Sequence, residues 1–393
     1  MVAENELLLV ARGIMNEFAN QTGLSSEKAP RRYLWTDAFA VCNFLELHHR
    51  TGDETYKQLA LRLVGQVHHV LGRYRDDDSR SGWISGLSDK EGEKHPTKGG
   101  LRIGKELNER KPSEPLDSYL EWHQDGQYYH YLTKWMHALN RVSQVTRNPT
   151  YNQWAIELAK TAHAHFTYNS PYSRKKSMYW KMSIDLSRPL VSSMGQHDPL
   201  DGFITYNQLQ ATTSEYHTSA ELKSEIADMA TILEGMQLIT DDPLGIGGLL
   251  CNAYEVAQLV LNKYWKRTDL TVDLLRASEA GLETYQNTKP MQFSADHRLA
   301  FRELGLSLGL HAVESLQELI SEKPDLFIGE HDLYSLTESL LLRYAPLIQD
   351  IEEFWLRPTN RQANSWKDHV DINIVMLATS LIPEGYLGLS YSR

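Results

Sequence analysis

Two stretches of the 393-residue chain repeat one pattern: residues 51–63 read TGDETYKQLALRL, and residues 146–158 read TRNPTYNQWAIEL. The two copies are offset by 95 residues, and a histidine follows each at the same point, His68 and His163. Each copy comes after an aromatic-rich apolar stretch and carries an Asp or Asn where the next helix would begin, which is typical of an N-cap. The repeat therefore predicts a helical hairpin that recurs along the chain.

Helical periodicity continues along almost the whole sequence, in segments of about 15–25 residues, while alternating strand-like runs are few and short. The pattern therefore predicts an all-α protein. The predicted helices cover residues 6–20, 34–49, 54–73, 126–146, 150–166, 218–238, 245–264, 270–285, 297–320, 333–348 and 371–381.

Two long segments between these helices have an irregular pattern, residues 76–125 and 168–212. They are rich in Gly, Pro, Ser and charged residues, and they contain Trp83, Trp122 and Trp180. Long loops within a compact domain are usually binding loops, and linkers seldom use tryptophan. We therefore expect one domain over residues 1–393, with a domain boundary in one of these loops as the alternative.

Composition excludes several classes of protein. The formal net charge of -11, with no clustered basic run, argues against a nucleic-acid partner. The two cysteines lie in apolar helical stretches, so neither a disulfide framework nor a cysteine zinc site is expected. No signal peptide and no apolar stretch of about 20 residues is apparent. We expect a cytoplasmic protein without a membrane partner; the oligomeric state stays open, with a homodimer among the possibilities.

Polar and aromatic clusters stand at or near the beginnings of the predicted helices. If each cluster belongs to one hairpin, six hairpins present all of them at one rim. The six clusters are Trp35–Asp37, Glu121–Asp125, Gln196–Asp198, Asp241–Asp242, Asp296–His297 and Trp366–His369.

The first cluster places Asp37 one turn into an apolar helix. This carboxylate either complements the positive end of the helix dipole or serves as an acid, a base or an acceptor for a sugar hydroxyl. Trp35 favours the second role, because sugars present apolar faces that stack on indole rings. Around residues 121–131 the polar density is too high for an ordinary core helix, although a structural role is favoured for any single member such as His123.

The segment around the third cluster holds Gln196, His197, Asp198 and Asp201 within six residues. Neighbouring carboxylates separate each other's pKa values, so this segment is a candidate acid/base pair. A metal ion held by the histidine and both aspartates is the less favoured alternative, because no second histidine stands at helical spacing nearby. No metal is expected.

Two later histidines are sharper candidates for catalysis. His297 and His369 each stand beside a carboxylate near the start of an apolar helix. Imidazole suits proton transfer at neutral pH, and the alternative is a capping histidine.

Glycine-rich residues 245–248 are too short for a dinucleotide fingerprint and have no preceding strand. They are expected to allow close helix packing. The sequence contains neither a phosphate-binding loop nor a Gly-x-Ser-x-Gly nucleophile elbow.

The pattern resembles the six-hairpin (α/α)6 barrel superfamily, nearest to the N-acylglucosamine 2-epimerase and sugar isomerase group. Trp366–His369 is similar to that group's Trp-Lys segment before its final histidine. The chain differs at Ala300 and Asp371, where the group has Glu and Arg. The resemblance implies one barrel, no obligatory cofactor, and His297 and His369 as general acid and base.

A second, partial likeness is to unsaturated-glycuronyl hydrolases. Residues 33–39, YLWTDAF, are similar to their Trp-x-x-Asp-Ala segment, and residues 82–86 are loosely similar to their Trp-containing loop. This likeness implies that Asp37 and Asp125 are the working carboxylates.

The leading expectation is a carbohydrate-active enzyme that epimerises or isomerises a sugar, with His297 and His369 exchanging a proton next to the carbonyl. The second is a glycoside hydrolase or lyase that uses Asp37, Asp125, Asp198 or Asp201. The third is a sugar-binding helical scaffold without turnover. The expected substrate contacts are Arg32, Tyr33, Trp35, Glu121, Trp122, Asp125, Trp180, Gln196, Asp201 and Trp366.

Overall fold

The structure, a computed structural model, describes residues 2–170, 176–216, 220–262, 264–327 and 331–389. It contains two compact units: residues 19–236 form the N-terminal unit, and residues 1–18 with 237–389 form the C-terminal unit. The described residues are mostly helical, as the periodicity predicts. Closure of the hairpins into a barrel and the single-domain organisation stay predictions.

The N-terminal unit consists mainly of three helical hairpins joined by long loops. In each hairpin a first helix packs on a second: α2 on α3, α6 on α7, and α8 on α9. After α1 (Val2–Gln21), most of which belongs to the C-terminal unit, the helices are α2 (Leu34–Thr51), α3 (Glu54–Leu71), α4 (Asp89–Lys94), α5 (Ser118–His123), α6 (Tyr129–Thr146), α7 (Pro149–Phe166), α8 (Asp198–Glu215) and α9 (Lys223–Leu233).

The repeated pattern forms the second helix of two hairpins, as predicted. Asp53 accepts a hydrogen bond from the amide of Thr55 at 2.9 Å and caps α3, while Asn148 accepts one from Thr150 at 3.0 Å and caps α7. Each cap satisfies an amide that the first helical turn leaves without a partner. The Asp and Asn of the repeat therefore set where the second helices begin.

The first helices α2, α6 and α8 pack side by side. Every residue from Leu34 to Leu47 on α2 is buried, so this helix is enclosed on all sides. A helix in that position has no exposed face, and its polar groups must pair within the core.

The sequence analysis is wrong about α8. It predicts an irregular segment over residues 168–212, whereas α8 begins at Asp198. This helix contains a glycine and several β-branched residues, which are poor helix formers, and it is buried on nearly all sides, so it shows no one-sided apolar period. Gly202 is required by packing, because a Cβ there would overlap the hydroxyl of Tyr129.

Short strands form two small sheets, one of which joins the loops to the start of α6. They are β1 (Gln127–Tyr128), β2 (Thr167–Asn169), β3 (Lys176–Met178), β4 (Lys181–Met182) and β5 (Pro189–Val191). β1 pairs with β4 in antiparallel register, with Tyr128 opposite Lys181, and β4 pairs with β5. This pairing places Trp180 beside the beginning of α6.

The C-terminal unit is also helical, with α10 packed on α11 and α12, and with α12 packed on α13, α14 and α16. The expected helix over residues 333–348 is two helices, because Pro346 opens a second one. Thr218, the expected start of the helix that the structure begins at Lys223, lies outside the described residues. The helices of this unit are α10 (Pro243–Leu261), α11 (Thr268–Asn287), α12 (Ala300–Glu322), α13 (His331–Tyr344), α14 (Pro346–Leu356), α15 (Asn364–Lys367), α16 (Val370–Leu381) and α17 (Glu384–Leu387).

Helix α10 is the most apolar long helix among the described residues. By length and composition it could cross a membrane, but 72% of its most apolar window is buried in the structure. Burial in the core accounts for that composition.

Glycines allow α10 and α12 to approach closely, as the sequence predicts. A Cβ at Gly247 would overlap the carbonyl oxygen of Gly305, and a Cβ at Gly309 would come within 2.5 Å of the Cα of Gly247. Both obstacles are backbone, which cannot rotate away. Gly248, the next residue on α10, has nothing within 4 Å of the same position.

Gly247→Ala should therefore lower the free energy of unfolding by about 1–3 kcal/mol, the usual cost of overpacking a core. Gly248→Ala is the matched control and should be neutral or stabilising by up to about 1 kcal/mol, because alanine favours the helix. Urea titrations followed by circular dichroism measure both changes. Equal effects of the two substitutions would contradict the close helix approach.

Candidate functional site

The beginnings of the first helices lie together within each unit. In the N-terminal unit, the hydroxyls of Tyr33 and Tyr131 are 2.8 Å apart and join the starts of α2 and α6. In the C-terminal unit, the amide of Phe301 donates to Asn373 Oδ1 at 3.0 Å and joins the starts of α12 and α16. The polar clusters predicted at these helix starts are therefore neighbours within each unit.

An aromatic cluster covers the helix starts of the N-terminal unit. The indole of Trp180 stands 5.2 Å from the ring of Tyr128 and is stacked with the imidazole of His130 at 6.1 Å. Trp122, on α5, lies 4.9 Å from Trp180 and is 53% exposed. Stacked and exposed rings of this kind suit the apolar face of a ligand. The aromatic cluster comprises Tyr33, Trp122, Tyr128, His130, Tyr131 and Trp180.

Three of the five aromatic residues predicted to contact a substrate, Tyr33, Trp122 and Trp180, belong to this cluster. Trp35 does not, because it is 7% exposed and packs on Phe39 inside α2. Trp366 is likewise buried in the C-terminal unit, stacked on Trp355 with ring centres 5.6 Å apart. Their burial favours core packing over ligand contact for both residues.

The carboxylates of Glu121 and Asp125 are buried and saturated with partners. Glu121 accepts from Lys181 and from Arg110, each at 2.8 Å. Asp125 accepts from Arg102 at 2.6 Å and from the amide of Gly104 at 3.0 Å. Buried charges in such networks hold loops in place. This geometry favours structural roles for the two residues, and their predicted roles at a substrate stay predictions.

Asp37 and Arg32 are also buried against each other. One carboxylate oxygen of Asp37 accepts from the amide of Tyr33 at 2.9 Å, and the other lies 3.4 Å from Arg32 Nη1. Arg32 also donates to the carbonyl of Thr22 at 2.6 Å. These contacts favour the first of the two roles considered for Asp37, which is to complement the positive end of the helix dipole.

Lys105 places a cation beside the aromatic cluster. Its ammonium group stands 5.3 Å from the centre of the Tyr33 ring. Burial, together with the nearby charge of Lys181, lowers the pKa of Lys105. This side chain is available to a ligand hydroxyl or anion at the edge of the cluster.

His130 and Asp198 face each other where α6 and α8 begin. His130 Nδ1 and Asp198 Oδ1 are 3.6 Å apart, which is just beyond hydrogen-bond distance. Among the described residues, His130 Nδ1 and Asp198 Oδ2 are both buried and have no hydrogen-bond partner. Buried polar atoms are almost always paired, so these facing side chains are a candidate functional site.

Burial opposes charge on both members of this pair. It raises the pKa of Asp198 to about 8, with a further contribution from the charge of Asp201. It lowers the pKa of the His130 imidazole to about 4. At neutral pH the pair is therefore mostly a carboxylic acid beside a neutral imidazole, a combination able to transfer a proton.

The other residues of the third predicted cluster surround Asp198. Asp201 forms an ion pair with Lys134, with 3.2 Å between Nζ and Oδ2. His197 is half-buried at the residue before α8, and Gln196 is exposed. Within the described ranges, no three His, Cys, Asp or Glu side chains are grouped to hold a metal ion, so the metal alternative gains no support.

His297 and His369 lie in the C-terminal unit and are both exposed. His297 ends a 3-10 turn before α12, and His369 directly precedes α16. Their segments are joined, because Asp296 accepts from the amide of Asn364 at 2.9 Å. The two histidines therefore stand on adjoining segments, and their proposed exchange of a proton stays a prediction.

His130, Tyr128 and Tyr131 are the members of the aromatic cluster that the sequence does not predict as site residues. Residues 121–131 attract attention there for their polar density, but His130 is not separated from the other histidines. Because α8 is not predicted, nothing in the sequence places Asp198 beside α6. The sequence around His130 offers one hint of a site, the cation Lys134 one turn later on the same helix face.

No family model matches the sequence, and no curated protein sequence is similar to it. Among solved structures, the crystal structure of a sugar epimerase from a ruminal bacterium is similar over 80% of this chain and 76% of that one. The identity is 8% and the TM-score is 0.41. The case for a function must therefore come from the side chains.

The raised pKa of Asp198 should make stability fall as pH rises. Between pH 4 and 8 the folded protein keeps a proton that the unfolded chain has lost, so the free energy of unfolding decreases over that window. The lowered pKa of His130 acts in the opposite direction, but only below about pH 6.5. Relative to Asp198→Asn, the wild type should lose roughly 1–2 kcal/mol between pH 6.5 and 8.

Urea unfolding of both proteins at several pH values measures this difference. Asp241→Asn, which removes an exposed carboxylate, is the control and should follow the wild type at every pH. If the Asp198→Asn protein also parallels the wild type from pH 6.5 to 8, Asp198 does not hold a proton in this range.

Proposed function

We propose that this protein is a carbohydrate-active enzyme that epimerises or isomerises a sugar by moving a proton at the carbon next to the carbonyl. The aromatic cluster carries the proposal. It combines rings at the surface with buried groups able to transfer a proton, which is the arrangement that a polar ligand with apolar faces requires.

The cluster offers both kinds of contact that a sugar makes. Trp122 and Trp180 present indole faces for stacking, and Trp122 is half exposed. The hydroxyls of Tyr33 and Tyr131 and the ammonium group of Lys105 stand at its edge and suit sugar hydroxyls. Aromatic rings supply most of the contact area in such a site, and the polar groups supply orientation.

His297 and His369 in the C-terminal unit are the proton-transfer groups that the sequence predicts, and this assignment is tested separately from sugar binding at the aromatic cluster. Support for this assignment is that both imidazoles are exposed on adjoining segments at helix starts. The reaction needs no oxidant and no cofactor, because the proton removed from one carbon returns to the substrate.

A glycoside hydrolase is the second candidate, and one observation favours it. Burial raises the pKa of Asp198 to about 8, so this residue is protonated at neutral pH, as the general acid of a glycosidase must be. Asp201 is the neighbouring carboxylate, already paired with Lys134. A hydrolase would release 4-nitrophenol from nitrophenyl glycosides, whereas an epimerase or isomerase would not.

Incubation with sugars in heavy water tests the leading proposal. D-glucose, D-mannose, D-fructose, N-acetyl-D-glucosamine and cellobiose are suitable probes, each followed by proton NMR. The enzyme should introduce deuterium at the carbon next to the carbonyl of at least one sugar, because the abstracted proton exchanges with solvent. Binding without any deuterium uptake would instead indicate a sugar-binding scaffold.

The same assay tests the histidine assignment. If His297 and His369 move the proton, His297→Ala and His369→Ala should each slow deuterium uptake by about 100-fold or more. The exposed His123 provides the control, and His123→Gln should leave the rate unchanged. Full activity in both alanine variants would reject the assignment while leaving the reaction itself in place.

Removal of the exposed indole should weaken sugar binding. Trp122→Ala should raise the dissociation constant about 3- to 10-fold, since an aromatic stacking contact contributes about 0.5–1.5 kcal/mol. Leu342→Ala, at a site that is 83% exposed in the C-terminal unit, is the control and should not change binding. Isothermal titration calorimetry with the sugar that exchanges deuterium measures both, and an unchanged constant for Trp122→Ala would place the sugar elsewhere.

A further inference from the structure

The most unusual pair of side chains in the described residues is His130 with Asp198. Some buried side-chain atoms elsewhere in the described part of the N-terminal unit also have no hydrogen-bond partner, such as Thr36 Oγ1 and Glu157 Oε2, whereas many others are tied into networks. Asn140 on α6, for example, bonds to Asn152 at 2.9 Å and to Thr212 at 2.8 Å. His130 and Asp198 differ from the other unpaired atoms because an imidazole and a carboxyl group face each other without a hydrogen bond, an arrangement that suits proton transfer.

We infer that His130 is a catalytic base whose proton passes through the imidazole ring to Asp198, and that this relay isomerises a sugar between its aldose and ketose forms. The inference rests on the proposed function and assigns its proton transfer to a different unit of the chain. His130 is the catalytic residue, and Asp198 is a positioning residue that also stores the proton.

The geometry gives the two residues different places. The His130 side chain is 27% exposed although its Nδ1 is buried, so the exposed part of the ring is directed away from Asp198. The Asp198 side chain is 6% exposed and lies behind the ring. A sugar can therefore reach the imidazole, while the carboxyl group stays out of water.

The surroundings keep the ring in this orientation. His130 is stacked with Trp180 and with Tyr128, whose ring centre is 5.4 Å away. These contacts restrict rotation of the imidazole. They also place the ring within the aromatic cluster, where the apolar face of a sugar would stack.

Two further charged groups face the pair. Asp201 on α8 and Lys134 on α6 form an ion pair with each other, and the charge of Asp201 raises the pKa of Asp198 while that of Lys134 lowers it. The phenol of Tyr129 also lies near both aspartates, and its burial raises its pKa far above the working range. At this point, Asp198 is the group whose pKa burial raises to about 8.

The proton step balances without another reactant. With Asp198 ionised, His130 Nε2 takes the proton from the carbon next to the carbonyl, and the Nδ1 proton passes to Asp198. The C–H electron pair enters the carbon–carbon bond, and the carbonyl π pair moves to oxygen, which gives an enediolate. Return of the proton to the neighbouring carbon, with the enediol hydroxyl proton moving to the oxyanion, completes the isomerisation.

Because a single base acts on one face of the substrate, the relay favours isomerisation over epimerisation. Epimerisation needs the proton returned to the opposite face of the same carbon, which requires a second group. Isomerisation returns it on the same face to the adjacent carbon, which His130 can reach alone. The relay therefore predicts a ketose from an aldose.

The experiment measures deuterium uptake and product identity for the wild type, His130→Gln and Asp198→Asn with the sugars named above. Both substitutions should slow exchange by about 100-fold or more, because general base catalysis contributes that much. Circular dichroism verifies that the variants fold. His123→Gln and Asp76→Asn, at exposed positions of the same unit, are controls and should keep the wild-type rate.

The pH profile separates a relay from a structural role and does not depend on any variant. In the wild type, the second-order rate constant should rise about tenfold per pH unit below pH 8 and level off above it, since the base form requires ionised Asp198. A plateau that is already reached at about pH 7 would overturn the inference.

The remaining outcomes are distinct. No exchange by the wild type with any of the sugars would reject the proposed function together with this inference. Exchange that survives both His130→Gln and Asp198→Asn, or that is lost only in His297→Ala and His369→Ala, would reject the relay alone. A C2 epimer as the sole product would also reject it.

Discussion

Enclosure of the first helices on nearly all sides is the constraint on which the rest of this structure depends. On α2, burial extends from Leu34 to Leu47 without interruption. A polar group inside such a helix must find a partner in the core. In the middle of α6, the side-chain amide of Asn140 does so through a hydrogen-bond network. Groups that remain able to form hydrogen bonds with a ligand can therefore lie only at the helix ends, where the loops begin.

Two kinds of acidic residue stand at the helix starts of the N-terminal unit. Glu121 pairs with Lys181 and Arg110, and Asp125 pairs with Arg102, and these contacts hold the loops in place. Asp198 has no such cation of its own, because Lys134 is engaged by Asp201. Burial is the largest influence on Asp198 and, with the charge of Asp201, raises its pKa to about 8. The same burial that stabilises the hairpins thus prepares an acid/base group at their ends.

Much of the fold could be predicted from the sequence, and the exceptions have physical causes. The repeated hairpin is visible because Asp53 and Asn148 cap their helices locally. Helix α8 is missed because its glycine and β-branched residues are poor helix formers and its burial on nearly all sides leaves no one-sided apolar period. Because α8 is not predicted, the site is not predicted either, since Asp198, which faces His130, lies on that helix. Trp35, Asp37 and Asp125 attract attention as polar or aromatic residues near helix starts, yet their burial favours structural roles.

The sequence by itself determined the all-α class, the capped hairpins and the close approach at Gly247, because these depend on neighbours along the chain or on helical spacing. It also determined that polar clusters stand at helix starts. Only the tertiary structure decided which members of those clusters meet. Burial and the pairing of charges depend on contacts between helices far apart in sequence, so the placement of His130 beside Asp198 follows from packing and from no local pattern.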